Sequence, residues 1–349
     1  MKTLVETRDL KTLFPILRGV FRRHVADVRA VDGISLSIKY RQWVGLVGES
    51  GCGKTTLGKT ILRLLKPTSG HIYLDIAEEI RDKISELEVS EPTSKAYKNL
   101  RSQYDLATFS GRKLKNLRKL MQLVYQDPFT SLDPRMKISN TLLEPISVHR
   151  LMNRASARER IVEVMDMVGL TPKHLPRYPH QFSGGQRQRI AIARTLVTSP
   201  QFIVFDEPTS ALDVSVQAQV LTLLEKLKQE QNLTYLYITH DLSVAETVCD
   251  TIAVMYLGKI VEMGDPTDIF KTPRHPYSKA LVLSTPIADP TRKRGRLVLP
   301  GEVPSPADPP PGCRFHPRCD RATDECKAIE PTLQAEGGER KVACYHPLD

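Results

Sequence analysis

The stretch Gly48-Glu49-Ser50-Gly51-Cys52-Gly53-Lys54-Thr55-Thr56 decides how this chain is read. It follows Gly-x4-Gly-Lys-Thr, a loop that wraps nucleotide phosphates. Before it, Trp43-Val44-Gly45-Leu46-Val47 reads as a short buried strand. After it, residues 56–65 carry Leu57, Ile61, Leu64 and Leu65 at helical spacing. The motif needs that strand–loop–helix context. Its glycines let successive N–H groups turn onto an anion, and the helix N-terminus adds partial positive charge. Lys54 is placed to reach the β- and γ-phosphates, and the Thr55 hydroxyl to ligate Mg²⁺ with Thr56 nearby. Alone, the loop names nucleoside-triphosphate binding and no more.

The chain has 349 residues, room for one large or two modest domains. Hydrophobic content of 40% and charged content of 26% fit a globular protein. No apolar run is long enough to span a bilayer, and Met1-Lys2-Thr3-Leu4-Val5-Glu6 has no hydrophobic signal core; both predict a cytoplasmic chain. A net charge of +10 admits nucleic acid, anionic lipid or a polyanion such as ATP as partner, although a scattered solvated surface accounts for most of it. Cys52 and Cys249 stand alone, while Cys313, Cys319, Cys326 and Cys344 crowd the C-terminus. In a reducing compartment that favours a metal or cluster over disulfides.

Strands are predicted at Leu4-Val5-Glu6-Thr7 and, by alternation through Val31, Ile34, Leu36 and Ile38, over 28–38. A basic loop with Arg18, Arg22, Arg23 and His24 lies between them. Residues 76–119 are dense in Glu, Lys and Arg, with Ile80, Ile84 and Leu87 at helical spacing, and predict a partly mobile helical surface insertion. The strand Met121-Gln122-Leu123-Val124-Tyr125 leads to Gln126 and the loop Asp127-Pro128-Phe129-Thr130-Ser131-Leu132-Asp133-Pro134. A glutamine there either senses a ligand or is an ordinary loop residue. Helices follow over 136–180.

Phe182-Ser183-Gly184-Gly185-Gln186 then opens a helix. It is either a plain N-cap or a second anion site, and a second site suggests two chains sharing one nucleotide. The apolar strand Phe202-Ile203-Val204-Phe205 ends in Asp206 and Glu207. Beside a phosphate loop, such acids hold Mg²⁺ through water and polarise the attacking water. Ser210-Ala211-Leu212-Asp213 precedes a helix over 216–227, and a strand over 234–239 ends at His240, placed to hydrogen-bond a γ-phosphate.

This ordered set, over about residues 1–260, resembles the nucleotide-binding domain of ABC transporters. Residues 48–55 match Walker A, Gln126 the Q-loop and Ser183, Gly184, Gly185 and Gln186 the signature. Residues 202–206 match Walker B, Glu207 the catalytic glutamate, Ser210-Ala211-Leu212-Asp213 the D-loop and His240 the switch histidine. The resemblance implies an α/β P-loop NTPase (RecA-like) core with an antiparallel β subdomain and an inserted α-helical subdomain. It divides the chain into a nucleotide-binding domain over 1–265, with the 76–119 insertion and a helical subdomain over about 127–190, and an extension over 266–349. It also implies an ATP-hydrolysing subunit with Thr55, Gln126 and Asp206 serving Mg²⁺, and with each ATP held between Walker A of one subunit and the signature of another.

Further residues resemble the oligopeptide/dipeptide importer branch, as its second, F-type ATPase. They include Tyr178-Pro179-His180-Gln181-Phe182, Asp213-Val214-Ser215-Val216-Gln217, His275-Pro276-Tyr277, Leu299-Pro300-Gly301-Glu302 and Gly312-Cys313-Arg314-Phe315-His316-Pro317-Arg318-Cys319. The branch implies several partners. They are a second ATPase subunit (a paralogue, or else a copy of this chain), two transmembrane permease subunits and an extracytoplasmic solute-binding protein. It places the chain on the cytoplasmic face of the membrane, expects no nucleic acid, and leaves peptide, sugar and nickel-chelate cargo open; the alternative is a non-transport ABC ATPase that acts on nucleic acid. The four tail cysteines, with gaps of five, six and seventeen residues, suit a [4Fe–4S] cluster or an all-thiolate zinc site, and the resemblance favours the cluster. Two departures stand out. The usual adenine-stacking aromatic falls here at His24 or Val25, and the 76–119 segment exceeds the family's usual connection.

Overall fold

In a computed structural model, the described residues are 2–21, 23–127, 130–284 and 301–349. Met1, Arg22, Pro128, Phe129, Leu299 and Pro300, quoted above, lie outside them.

In chain order the elements are β1 (Thr3–Arg18), β2 (Arg23–Lys39), β3 (Trp43–Val47), α1 (Lys54–Ile61), β4 (Ser69–Leu74), α2 (Glu78–Ser90), α3 (Lys95–Tyr104), α4 (Gly111–Leu120) and β5 (Met121–Val124). Then come α5 (Ile138–His149), α6 (Arg154–Met167), α7 (Gly184–Leu196), β6 (Phe202–Asp206), α8 (Val214–Gln231), β7 (Thr234–Ile238), α9 (Leu242–Val248), β8 (Thr251–Tyr256) and β9 (Lys259–Gly264). The tail adds α10 (Pro266–Lys271), α11 (Pro276–Ser284), α12 (Asp324–Ala328), β10 (Gln334–Ala335) and β11 (Lys341–Val342). No helix among the described residues is long and apolar enough to cross a membrane.

The chain forms two compact units and passes from one to the other within β7. One unit holds residues 3–38, 42–107 and 237–349. Its β3 is buried along its whole length and runs parallel to β8, with Val44 opposite Thr251 and Val47 opposite Val254. β9 is antiparallel to β8, and β11 of the tail adds to β9 with Lys341 opposite Met263. The sheet is thus mixed. A second sheet, ordered β2-β1-β4, pairs β1 and β4 antiparallel with Val5 opposite Leu74.

β1 and β2 are far longer than expected. Arg18 ends β1, Arg23 and His24 open β2, and Gly19 turns the chain between them at φ 77°. Arg18, Arg23 and His24 therefore sit in strands, not in an open loop. The helix after the phosphate loop is shorter than its apolar spacing predicts. Arg63 takes the left-handed conformation at φ 55°, and the Leu64 N–H closes back onto the Lys59 carbonyl, a glycine-type cap that ends α1 before Leu64 and Leu65.

The 76–119 segment forms helices, as predicted. α2 and α3 pack on a core of Tyr73, Ile84 and Tyr97. Asp105, fully buried, fastens them to β4. Its Oδ1 accepts the Ile72 N–H at 3.1 Å, and its Oδ2 takes the Arg101 fork at 3.0 and 2.8 Å and the His71 Nδ1 at 2.8 Å. The other ring nitrogen of His71 meets Glu88 of α2 at 2.9 Å.

The other unit holds residues 108–236 with short pieces near the N-terminus and at 39–41. β5 runs parallel to β6, Met121 opposite Phe202. Phe205 of β6 meets Tyr235 of β7 edge-on at 5.0 Å, and the Tyr235 hydroxyl donates to the Leu224 carbonyl of α8. α5, α6 and α7 pack together in this unit.

Burial opposes the charging of His71, but Asp105 and Glu88 outweigh it and raise its pKa. Burial likewise works against ionised Asp105, and His71, the Ile72 N–H and Arg101 outweigh it and lower its pKa. The Asp105 contribution to stability is present above about pH 3.9 and is lost as pH falls through the lowered value. That of His71 is full below about pH 6.5 and fades as pH rises through the raised value. Thermal melts from pH 6 to 9 should therefore show wild-type stability declining with pH. His71→Gln should flatten that slope and cost on the order of 2 kcal/mol at pH 6. An unchanged slope would mean that His71 is not charged in the fold.

Candidate functional site

Backbone geometry sets the phosphate loop. Gly48, Gly51 and Gly53 have φ of 152°, 80° and 108°. A Cβ on Gly53 would lie 1.9 Å from the Ala30 carbonyl oxygen, and one on Gly48 2.2 Å from that of Met255. Only glycine lets the chain pass so close to β2 and β8. Lys54 Nζ donates to the Gly48 and Glu49 carbonyls at 2.8 and 2.9 Å, so the lysine lies across its own loop. The Gly258 N–H donates to the Cys52 carbonyl at 2.8 Å. Burial raises the Cys52 thiol pKa despite the nearby Lys54.

In the same unit, the Thr239 N–H donates to the Leu46 carbonyl at 3.2 Å, which sets the end of β7 and His240 beside β3. Asp241 caps α9 by accepting the Ser243 and Val244 N–H groups.

In the other unit, the parallel β5 and β6 end together. Gln126 Nε2 there donates to Glu207 Oε2 at 3.1 Å, and Asp206 closes β6 as a buried residue. Glu207 takes φ 49°, a left-handed backbone that costs a non-glycine residue free energy. Such strain at a strand end is typical of sites that must aim a side chain.

Ser183, Gly184, Gly185 and Gln186 open α7. Ser183 Oγ accepts the Gln186 N–H at 3.3 Å and Gln186 Oε1 accepts the Ser183 N–H at 3.2 Å, a reciprocal capping box. A Cβ on Gly185 would meet Val216 Cγ1 at 2.4 Å, so this glycine is also required for α7 to pack against α8. Asp213 caps α8 by accepting the Val216 N–H at 3.0 Å.

The tail carries the four cysteines to one place. Cys313, Cys319, Cys326 and Cys344 line a single cavity with Phe315 and His346. All four are free thiols. Burial pushes Cys313 and Cys344 up to about 11 and raises Cys319 as well. Among the described residues, no group of three or more His, Cys, Asp or Glu side chains converges closely enough to hold a metal ion as arranged.

One feature of the tail has no counterpart in the motif spacing. Tyr277 Oη accepts the Glu49 N–H at 2.9 Å, and the Arg318 fork donates to both carboxylate oxygens of Glu49, at 2.9 and 3.1 Å. The adjacency of Arg318 to Cys319 and the place of Tyr277 in His-Pro-Tyr were the visible signals. Neither points to residue 49.

Comparison with known proteins agrees with this geometry. The ABC transporter family model matches residues 31–210, and the model described as oligopeptide/dipeptide transporter, C-terminal region, matches 261–326. The oligopeptide transport ATP-binding protein AppF of Bacillus subtilis is 45% identical over 99% of this chain and 97% of its own length. The dipeptide transport ATP-binding protein DppF of Escherichia coli is 42% identical over 98% and 94%. Among solved structures, the ATP-binding cassette MJ0796, a dimer in a post-hydrolysis state bound to ADP and Pi, is 26% identical. It aligns with a TM-score of 0.59 over 75% of this chain and 99% of that one. The chain therefore belongs to the ABC transporter family, in the branch that carries the oligopeptide/dipeptide transporter C-terminal region.

Proposed function

We propose that this chain is the ATP-hydrolysing subunit of an importer for di- and oligopeptides. The observation that carries this reading is the union, on one chain, of an intact phosphate loop and the oligopeptide/dipeptide C-terminal region. Peptide cargo is favoured over sugar or nickel chelate because AppF and DppF, similar over nearly the whole chain, are oligopeptide and dipeptide transport proteins.

In this reading Lys54 and the amides of Gly48, Glu49, Ser50, Gly51, Cys52 and Gly53 bind the phosphates. Thr55, Gln126 and Asp206 serve Mg²⁺, with Thr56 beside them. Glu207 takes the proton of the attacking water, and its hydrogen bond to Gln126 supports a linked placement of the two. His240 holds the γ-phosphate. Ser183, Gly184, Gly185 and Gln186 complete the site of a second ATPase subunit, a paralogue or a copy of this chain; the dimeric state of MJ0796 supports that arrangement. Two permease subunits and a solute-binding protein complete the transporter at the cytoplasmic face of the membrane.

The tail cavity offers a donor set of four thiols. That set suits a [4Fe–4S] cluster once the side chains draw together, and Cys313, Cys319, Cys326 and Cys344 would hold it. A bound cluster would staple a Pro-rich tail.

Two outcomes follow. Glu207→Gln in the assembled transporter should still bind ATP while phosphate release falls at least about 100-fold; normal turnover refutes the assignment. Anaerobically purified protein should contain close to four iron atoms per chain and absorb near 400 nm, and Cys319→Ser should lose both. Zinc in place of iron, or no metal at all, would remove the cluster from this reading.

A further inference from the structure

We infer that Arg318 of the C-terminal extension is a positioning residue for the phosphate loop, neutralising Glu49 and holding its carboxylate away from the incoming nucleotide. The inference rests on the ATP-binding reading of residues 48–55.

Glu49 lies within the loop that must receive a triphosphate of several negative charges. An unpaired carboxylate there opposes binding, because like charges a few ångströms apart at a partly buried site repel strongly. The structure removes that difficulty from one side. The Arg318 fork takes both Glu49 oxygens, at 2.9 and 3.1 Å, a bidentate pair that fixes direction as well as distance. The Arg318 side chain is 7% exposed and that of Glu49 26%, so the pair is partly shielded from water. The guanidinium also stands 5.9 Å from the Tyr256 ring centroid.

The neighbouring contacts make this clamp rigid. Tyr256, Tyr277 and Phe315 form an aromatic block, with centroids 4.6 Å apart for the two tyrosines and 5.3 Å for Tyr256 and Phe315. From this block the Tyr277 hydroxyl holds the Glu49 N–H, so the same tail grips residue 49 by both backbone and side chain. On the other side of Phe315, Arg314 bonds the Leu257 carbonyl and Asp32. The next residue, Gly258, donates to the Cys52 carbonyl and accepts from the Asp32 N–H. Two arginines spaced four apart in the tail thus brace the loop at residues 49 and 52. Both terminal nitrogens of Arg318 are directed at the Glu49 carboxylate, so Arg318 acts through Glu49.

The test titrates the full-length chain with a fluorescent ATP analogue in Mg²⁺. Arg318→Gln should weaken binding about fivefold by leaving Glu49 unpaired. Adding Glu49→Gln to that variant removes the offending charge and should restore affinity to within about twofold of wild type. Arg318→Lys keeps the cation without the fork and should stay within about threefold. In the assembled transporter, Arg318→Gln should raise KM for ATP and leave kcat within about twofold. A merely structural bridge would lower the melting temperature without this rescue. The inference is overturned if Arg318→Gln binds as wild type does, or if the double variant stays as weak as the single one. A wild-type chain that binds no nucleotide, or one that Lys54→Ala leaves unimpaired, sinks the ATP-binding reading itself.

Discussion

The structure depends on a close passage of backbone over backbone. The phosphate loop runs so near the carbonyls of Ala30 and Met255 that no side chain fits at Gly53 or Gly48. That proximity fixes what surrounds it. β8 must lie beside β3 for Met255 to arrive there, and it does so in parallel register from Thr251 to Val254. β2 must bring Ala30 to the same place. The Leu257–Gly258 turn that follows β8 then supplies the hydrogen bond to Cys52. A loop with three glycines in left-handed or extended positive-φ backbone cannot hold that shape alone, since its glycines have the most conformational freedom to lose. Flanking strands and tail contacts supply the constraint.

How much of this was legible in the sequence varied with the range of the interaction. β3 is legible to the residue and β6 to within one, because short apolar runs bounded by glycine or acids leave little choice. β7 and α7 were read to within a few residues, as was the helical nature of the 76–119 segment. Less was visible where register or long-range pairing decides the outcome. Nothing local in Thr251-Ile252-Ala253-Val254-Met255-Tyr256 says that it must flank the phosphate-loop strand. The length of β1 and β2 was hidden by charged residues that a strand edge tolerates. The stop after α1 lay in the left-handed Arg63, a position where spacing alone predicts continuation.

Of the candidate site, residue identities were legible and their mutual geometry was not. The hydrogen bond from Gln126 to Glu207 spans residues far apart in sequence, and no pattern in either segment announces it. The grip of Arg318 and Tyr277 on Glu49 is a stronger case, since it joins the tail to the start of the loop across more than two hundred residues. His-Pro-Tyr reads as a family signature without a reason. The structure supplies one. His275 is buried and held neutral, its pKa pushed down to about 3, and its N–H is fixed on Glu262. Pro276 begins α11. Tyr277 then reaches the loop.

The glycines of the Ser183–Gln186 segment carry a further consequence. An anion-binding helix start needs free N–H groups, whereas here the Gln186 N–H is already taken by Ser183 Oγ and the Ser183 N–H by Gln186. Gly185 is required by Val216 of α8, which occupies the space a side chain would fill. Val216 is also the residue whose N–H Asp213 caps. The signature segment and the segment before α8 therefore share one packed contact, and a shift of either is felt by the other through close packing alone. That gives the order of the motifs along the chain a mechanical meaning. The capping box that opens α7 packs on the same valine whose N–H Asp213 accepts, and Ser210, three residues before Asp213, is tied back to the Glu207 carbonyl. The strained glutamate and the capped helix start are thus linked within one compact unit by two hydrogen bonds and one packed contact, without any need for a flexible relay.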